Sequence, residues 1–105
     1  MTFREITPMD LRDLLAHDAV TLIDVREPWE SQICSIEGGT LLPMNSLPQR
    51  LQDIPQERPV ALYCHHGIRS LLAAQFLSTY GFEALSLAGG ISRWAEEVEP
   101  EMARY

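Results

Sequence analysis

Short apolar runs and helix-like repeats alternate along this chain of 105 residues. Unbroken apolar runs of a few residues, bounded by Gly, Pro or Asp, are typical of buried strands. On this basis, strands are predicted at residues 20–25, 40–42, 60–63 and 84–87. Because these runs alternate with helical patterns, the sequence predicts an α/β fold. It should contain a single small parallel sheet with helices on both faces and right-handed crossovers.

Helical patterns lie between and after the strands. Thr7 is predicted to cap the first helix, with Pro8 at its first position and Leu11, Leu14 and Leu15 on one face. Further helices are predicted at residues 28–33, between 43 and 55, at 69–80 and over 91–98. The helix at 69–80 is predicted to end at Gly81, and its apolar face comprises Leu72, Ala73, Phe76, Leu77 and Tyr80.

Net charge and cysteine content narrow the expected partners and location of this protein. One domain over residues 1–105 is expected, since no linker, repeat or low-complexity segment interrupts the pattern. The net charge of −7 argues against nucleic acid and anionic membrane surfaces as partners. No signal-peptide region or membrane-length apolar run is found. Two cysteines do not make a disulfide framework, so a reducing, cytoplasmic location is expected.

Candidate chemistry is concentrated directly after the strand at 60–63, in Cys64, His65, His66, Gly67, Ile68, Arg69 and Ser70. A chain that leaves a strand and turns at once into a helix directs backbone N–H groups at the turn. The positive end of the helix dipole points to the same place. A thiol held there should ionise readily, so Cys64 is predicted to be a catalytic sulfur nucleophile in an anion-binding loop.

The rest of this loop is predicted to bind the substrate. Residues 63–82 carry Arg69 and two histidines but no acid, so a local positive field is expected to attract an anion. Arg69 is predicted to orient that anion, and the loop amides to stabilise its charge. No metal or cofactor is expected, because the cysteine and histidine spacing does not match a zinc site. The predicted substrate-binding residues are His65, His66, Gly67, Ile68 and Ser70.

Four segments, taken in order and spacing, resemble the rhodanese family of single-domain sulfurtransferases over nearly the whole chain. They are residues 24–27 (DVRE), 37–39 (EGG), 64–70 (CHHGIRS) and 87–91 (LAGGI), the last followed by Trp94. The resemblance implies that Cys64 takes sulfur from thiosulfate, a small anionic donor, or from a persulfide, and holds it as a persulfide. A thiophilic acceptor, such as cyanide, a small thiol or a protein thiol, would then collect it.

Two other functions remain open. Cysteine-dependent phosphatases and arsenate reductases of related fold use a loop that also ends in arginine but is one residue longer. Four residues separate Cys64 from Arg69, a tighter turn that favours sulfur over a tetrahedral oxyanion. The second alternative is a non-catalytic binding module of the rhodanese type. The presence of both Cys64 and Arg69 argues against it.

Three residues outside the loop have competing interpretations. Asp24 and Arg26 follow the strand at 20–25, and the carboxyl ends of parallel strands lie at one edge of a sheet. They are predicted to support the site, either by bracing its loops or by contacting the substrate, and bracing is favoured. Cys34 is either a resolving thiol for Cys64 or a bystander, and the bystander interpretation is favoured.

Overall fold

The computed structural model describes residues 2–105 and contains one five-stranded parallel sheet. The sheet order is β1-β5-β4-β2-β3, so β4 is central and every neighbouring pair is parallel. The strands are β1 Thr2–Ile6, β2 Thr21–Asp24, β3 Thr40–Leu41, β4 Val60–Tyr63 and β5 Glu83–Leu87. The helices are α1 Pro8–Ala16, α2 Pro28–Ile33, α3 Ile68–Ser78 and α4 Gly90–Glu97.

The helices cover both faces of the sheet, which confirms the predicted fold class. One apolar cluster joins α1 and α4 to the sheet through Leu11, Ile91 and Trp94. The other face is covered by α3 and by the segment between β3 and β4, through Leu47, Ala73 and Leu77 among others. Within residues 2–105, no helix is long and apolar enough to cross a membrane.

The four predicted strands are present, but β1 was not predicted. It pairs with β5 in register from Thr2–Glu83 to Ile6–Leu87 and forms an edge of the sheet. Only Ile6 of this strand is buried, so it lacks the apolar run that marks a central strand. The predicted start of α1 is correct. Thr7 and Asp10 form a reciprocal capping box, with both backbone-to-side-chain distances at 3.1 Å.

Two helical predictions need correction. The segment between Pro43 and Pro55 forms short 3-10 turns, Met44–Gln49 and Leu51–Asp53, because Pro48 inside it cannot donate the hydrogen bond of an α-helix. The apolar face predicted for α3 is only partly buried: Ala73 and Leu77 are buried and Phe76 packs against the core, but Leu72 and Tyr80, the latter just beyond the helix, are more than half exposed. Most of the residues of α3 that face the sheet are small, which allows close packing. The buried residues of the helix are Ser70, Ala73, Ala74, Leu77 and Ser78.

Candidate active site

The loop at 64–70 connects the carboxyl end of central strand β4 to the first turn of α3. Its turn depends on Gly67, which caps α3 in a left-handed conformation with φ of +105°. A Cβ atom on Gly67 would lie 3.2 Å from the backbone N of Gly89 and 3.3 Å from the carbonyl oxygen of Leu87. A glycine is therefore required here both by conformation and by the closeness of the chain after β5.

Cys64 is 1% exposed and lies at the centre of this turn. Its Sγ accepts hydrogen bonds from the backbone N–H of Gly67 at 3.1 Å and of Ser70 at 3.3 Å. The Ser70 hydroxyl lies 3.5 Å from Sγ and 2.8 Å from the hydroxyl of Ser86 on β5. The thiol donates to the Ser70 hydroxyl, so the two amides are the donors directed at the sulfur, and they stabilise an anionic sulfur more than a neutral thiol.

The amino end of α4 holds the same loop from behind. The backbone N–H of Ile91 donates to the carbonyl of Cys64 at 2.9 Å, and that of Ser92 donates to the carbonyl of His65 at 3.1 Å. Gly90 makes this approach possible, because its φ is +63° and a Cβ there would lie 2.2 Å from the His65 carbonyl oxygen. These bonds fix the loop carbonyls and leave the amides of Gly67 and Ser70 directed at Sγ.

Arg69, at the end of the loop, forms an ion pair with a carboxylate. Its guanidinium binds both carboxylate oxygens of Glu30 from α2, with N–O distances of 2.7 and 2.8 Å. Glu30 also accepts from the backbone N–H of Glu27 at 3.1 Å and from the Tyr105 hydroxyl at 2.7 Å. Mainly through the bond to Arg69, the pKa of Glu30 falls to about 2, so this buried carboxylate is ionised at neutral pH. The same bond raises the pKa of Arg69.

Asp24 and Arg26 form a second ion pair, almost completely buried. Nε and Nη2 of Arg26 donate to the two carboxylate oxygens of Asp24 at 2.8 and 2.7 Å. Arg26 also donates to the Cys34 carbonyl at 2.7 Å and to the Tyr105 hydroxyl at 3.0 Å, while Tyr63 donates to Asp24 at 3.1 Å. Burial opposes the charge of Arg26, but the bonds to Asp24 and Tyr105 outweigh it and raise the pKa. Here Cys34 contributes its carbonyl, and its thiol is free.

Three aromatic rings stack at the rim of the loop. The ring centroid of His65 lies 3.9 Å from that of His66 and 3.9 Å from that of Tyr105. Burial and the neighbouring His66 lower the pKa of His65, so its imidazole is neutral at neutral pH. Ile68 is 74% exposed. A cavity of about 80 Å³ lies beside the stack and is lined in part by His65, Cys34 and Tyr105.

The structure places most of the sequence-predicted residues around Cys64 but changes the electrostatics of the site. The expectation of a positive local field overlooked Glu30, which comes from α2 and neutralises Arg69. Ser86 and Tyr105 were also missed. A strand covered by helices on both faces is normally apolar, so the serine within β5 could have identified Ser86. No local pattern marks Tyr105. Among residues 2–105, no group of three or more Cys, His, Asp or Glu side chains is placed to bind a metal ion.

The fold and the site together define a class of small cysteine-loop proteins. Its features are a parallel α/β domain and a cysteine in an amide-lined turn at the carboxyl end of the central strand. Comparison with known proteins gives the family. The model of the rhodanese-like domain matches residues 7–97, so the chain belongs to the rhodanese-like domain family.

Individual relatives agree with this assignment. The chain is 38% identical over 101 residues to a protein named sulfurtransferase from Allochromatium vinosum and covers 94% of each sequence. It is 40% identical over 104 residues to the probable adenylyltransferase/sulfurtransferase MoeZ of Mycobacterium tuberculosis. That match covers 95% of this chain but only 26% of MoeZ. A crystal structure of a rhodanese-related protein from Thermoplasma volcanium superposes with a TM-score of 0.85 at 35% identity, covering 92% of this chain and 95% of that one. The names of the two relatives describe a sulfurtransferase and a probable adenylyltransferase/sulfurtransferase.

Proposed function

We propose that this protein transfers sulfane sulfur from thiosulfate or a persulfide donor to a thiophilic acceptor, through a persulfide on Cys64. The observation that carries the proposal is the pair of backbone amides, from Gly67 and Ser70, that donate to Sγ of Cys64. These donors stabilise the thiolate that attacks the donor sulfur, and they are in place before any substrate binds.

The reaction needs only displacement at sulfur. The Cys64 thiolate attacks the outer sulfur of the donor, a new S–S bond forms, and the donor's own S–S or S–sulfonate bond breaks. The leaving thiolate or sulfite departs with the bonding electron pair. An acceptor nucleophile, such as cyanide, a small thiol or a protein thiol, then attacks the outer sulfur of the Cys64 persulfide and regenerates the thiolate. No metal ion or organic cofactor is used in either step.

The other residues receive supporting roles in this proposal. The turn at Gly67 aims the amides, and Arg69 closes the end of the loop in its pair with Glu30. His65, His66 and Ile68 line the approach, while Asp24 and Arg26 brace the neighbouring loops. Bracing is supported by the burial of both members of the Asp24–Arg26 pair, which are at most 2% exposed.

Intact-protein mass spectrometry after incubation with a donor tests the proposal. The wild-type protein should gain one sulfur atom that dithiothreitol removes, and Cys64→Ser should abolish both the adduct and turnover. Cys34→Ser is the matched control and should retain both, because the only hydrogen bond of Cys34 to the buried ion pair is made by its carbonyl. Hydrolysis of an aryl phosphate without sulfur loading would instead favour the phosphatase alternative.

A further inference from the structure

The charge arrangement around Arg69 bears on which sulfur donor the site accepts. Arg69 is the only residue of the loop at 64–70 with a permanent positive charge, and Glu30 binds it in a two-oxygen pairing. A guanidinium held in this way has its best anion-binding edge already occupied. A sulfonate group that sought the same edge would have to displace a carboxylate.

Glu30 is held too firmly to be displaced easily. Its side chain is 4% exposed, and its oxygens also accept from the Tyr105 hydroxyl and the backbone N–H of Glu27. Glu27 and Glu30 form the capping box of α2, so the carboxylate is fixed by its own helix as well as by its partners. Neither Arg69 nor Glu30 loses its charge near neutral pH, and the pair remains neutral as a unit.

The neighbouring groups do not restore a positive field. Arg26 is fully buried and neutralised by Asp24. His65 is uncharged at neutral pH, because burial and His66 lower its pKa. Arg104 is an exposed cation that lines the small cavity with His65 and Tyr105, on the side of the aromatic stack. The whole chain carries a net charge of −7.

We propose that Glu30 is a specificity-determining residue that makes the site select persulfide donors, which carry at most one negative charge at the reacting sulfur, over dianionic thiosulfate. This inference rests on the proposed function of Cys64. In the favoured reaction, the Cys64 thiolate attacks the outer sulfur of R–S–SH. A new S–S bond forms to Cys64, the donor's own S–S bond breaks and its electron pair leaves with RS⁻, and the proton stays on the transferred sulfur. Thiosulfate would bring two negative charges to a thiolate whose nearest guanidinium is already neutralised.

Single-turnover loading of Cys64 measures the preference directly. The donors are thiosulfate and the persulfide of 2-mercaptoethanol, and the persulfide on Cys64 is trapped by alkylation and counted by mass spectrometry. The wild-type protein should load faster from the persulfide. Glu30→Gln should raise the thiosulfate rate by at least about tenfold, because it frees a guanidinium for the sulfonate. The same change should alter the persulfide rate by less than about threefold.

Glu97→Gln is the matched control. It makes the same change in net charge and also removes one member of an ion pair, with Arg93, on the exposed side of α4. The ratio of the two loading rates should stay within about twofold of wild type in this variant. Arg104→Gln should leave the ratio similarly unchanged, since the inference assigns the discrimination to the Glu30–Arg69 pair.

A measurement on the wild-type protein tests the inference even if the Glu30→Gln variant does not fold. Added salt should speed loading from thiosulfate, because it screens repulsion, and should change loading from the persulfide much less. The inference is overturned if wild type loads faster from thiosulfate, if that rate falls with salt, or if a folded Glu30→Gln protein keeps the wild-type ratio. Failure of both donors to load Cys64 would instead defeat the proposed function itself.

Discussion

Replacement of Gly90 by alanine tests how the active-site loop is held by α4. A Cβ atom at this position would lie 2.2 Å from the carbonyl oxygen of His65 and 2.6 Å from that of Cys64, both backbone atoms. Relief of such an overlap requires α4 and the loop to move apart. The movement breaks the hydrogen bonds from Ile91 and Ser92 to these same carbonyls, which measure 2.9 and 3.1 Å.

The magnitude follows from two contributions. Placing alanine at a φ of +63° costs about 1–2 kcal/mol, because a side chain disfavours the left-handed region. Loss of the two backbone hydrogen bonds adds about 1 kcal/mol each. Gly90→Ala should therefore lower the free energy of unfolding by about 3–4 kcal/mol.

Gly81→Ala provides the control for backbone strain alone. Gly81 has a φ of +91°, but a Cβ atom there would meet nothing within 4 Å. Its cost should be about 1–2 kcal/mol, so the two variants should differ by about 2 kcal/mol. In urea, with a slope of about 2 kcal/mol/M, that difference separates their midpoints by about 1 M. Equal midpoints for the two variants would refute the argument that α4 holds the loop by close backbone approach.

Two further predictions concern the hydroxyl and carboxyl groups that sequence reasoning missed. Ser86→Ala should slow alkylation of Cys64 by iodoacetamide at pH 7 by about threefold to tenfold, because the Ser70 hydroxyl loses the partner that holds it near Sγ. Ser78→Ala is the control, because it removes the hydroxyl of a buried serine of α3 that bonds to the Gln75 carbonyl, and it should not slow the alkylation of Cys64. Equal alkylation rates in wild type, Ser86→Ala and Ser78→Ala would contradict this role for Ser86. The pKa of Glu30 is lowered from 4.5 to about 2 by folding, so its stabilising effect is present above about pH 4.5 and is lost as the pH falls through 2. Urea unfolding should show the stability gap between wild type and Glu30→Gln shrinking over that interval, and a gap independent of pH would argue against an ionised, paired Glu30.

Local patterns were sufficient for most of the elements. The Thr7–Asp10 capping box, the apolar run of β4 and the glycine at 67 each act through neighbours within a few residues, so their physical effect is visible in the sequence itself. The same locality explains why Cys64 was predicted in an amide-lined turn. By contrast, β1 is stabilised by pairing with β5, about eighty residues away in the chain, and its exposed face carries no apolar pattern.

The buried face of α3 shows where pattern and packing diverge. Leu72 is among its most apolar residues, yet it is more than half exposed, while Ser70 and Ala74 are buried. A helix that approaches a sheet closely needs small side chains at the contact, and hydrophobicity alone does not report that requirement. The prediction was therefore correct for Ala73 and Leu77, whereas packing decided that Ser70 and Ala74 are buried and Leu72 is not.

The sequence by itself determined the fold class and the turn that holds Cys64, the predicted nucleophile, because these depend on residue order over short distances. Only the tertiary structure decided the charge of the site. Glu30 lies 39 residues from Arg69, and Tyr105 lies 75 residues from Glu30, yet the fold brings the three side chains into one hydrogen-bonded group. The field at a binding site is the sum over all charges that packing brings near it, and partners so distant in sequence leave no local pattern.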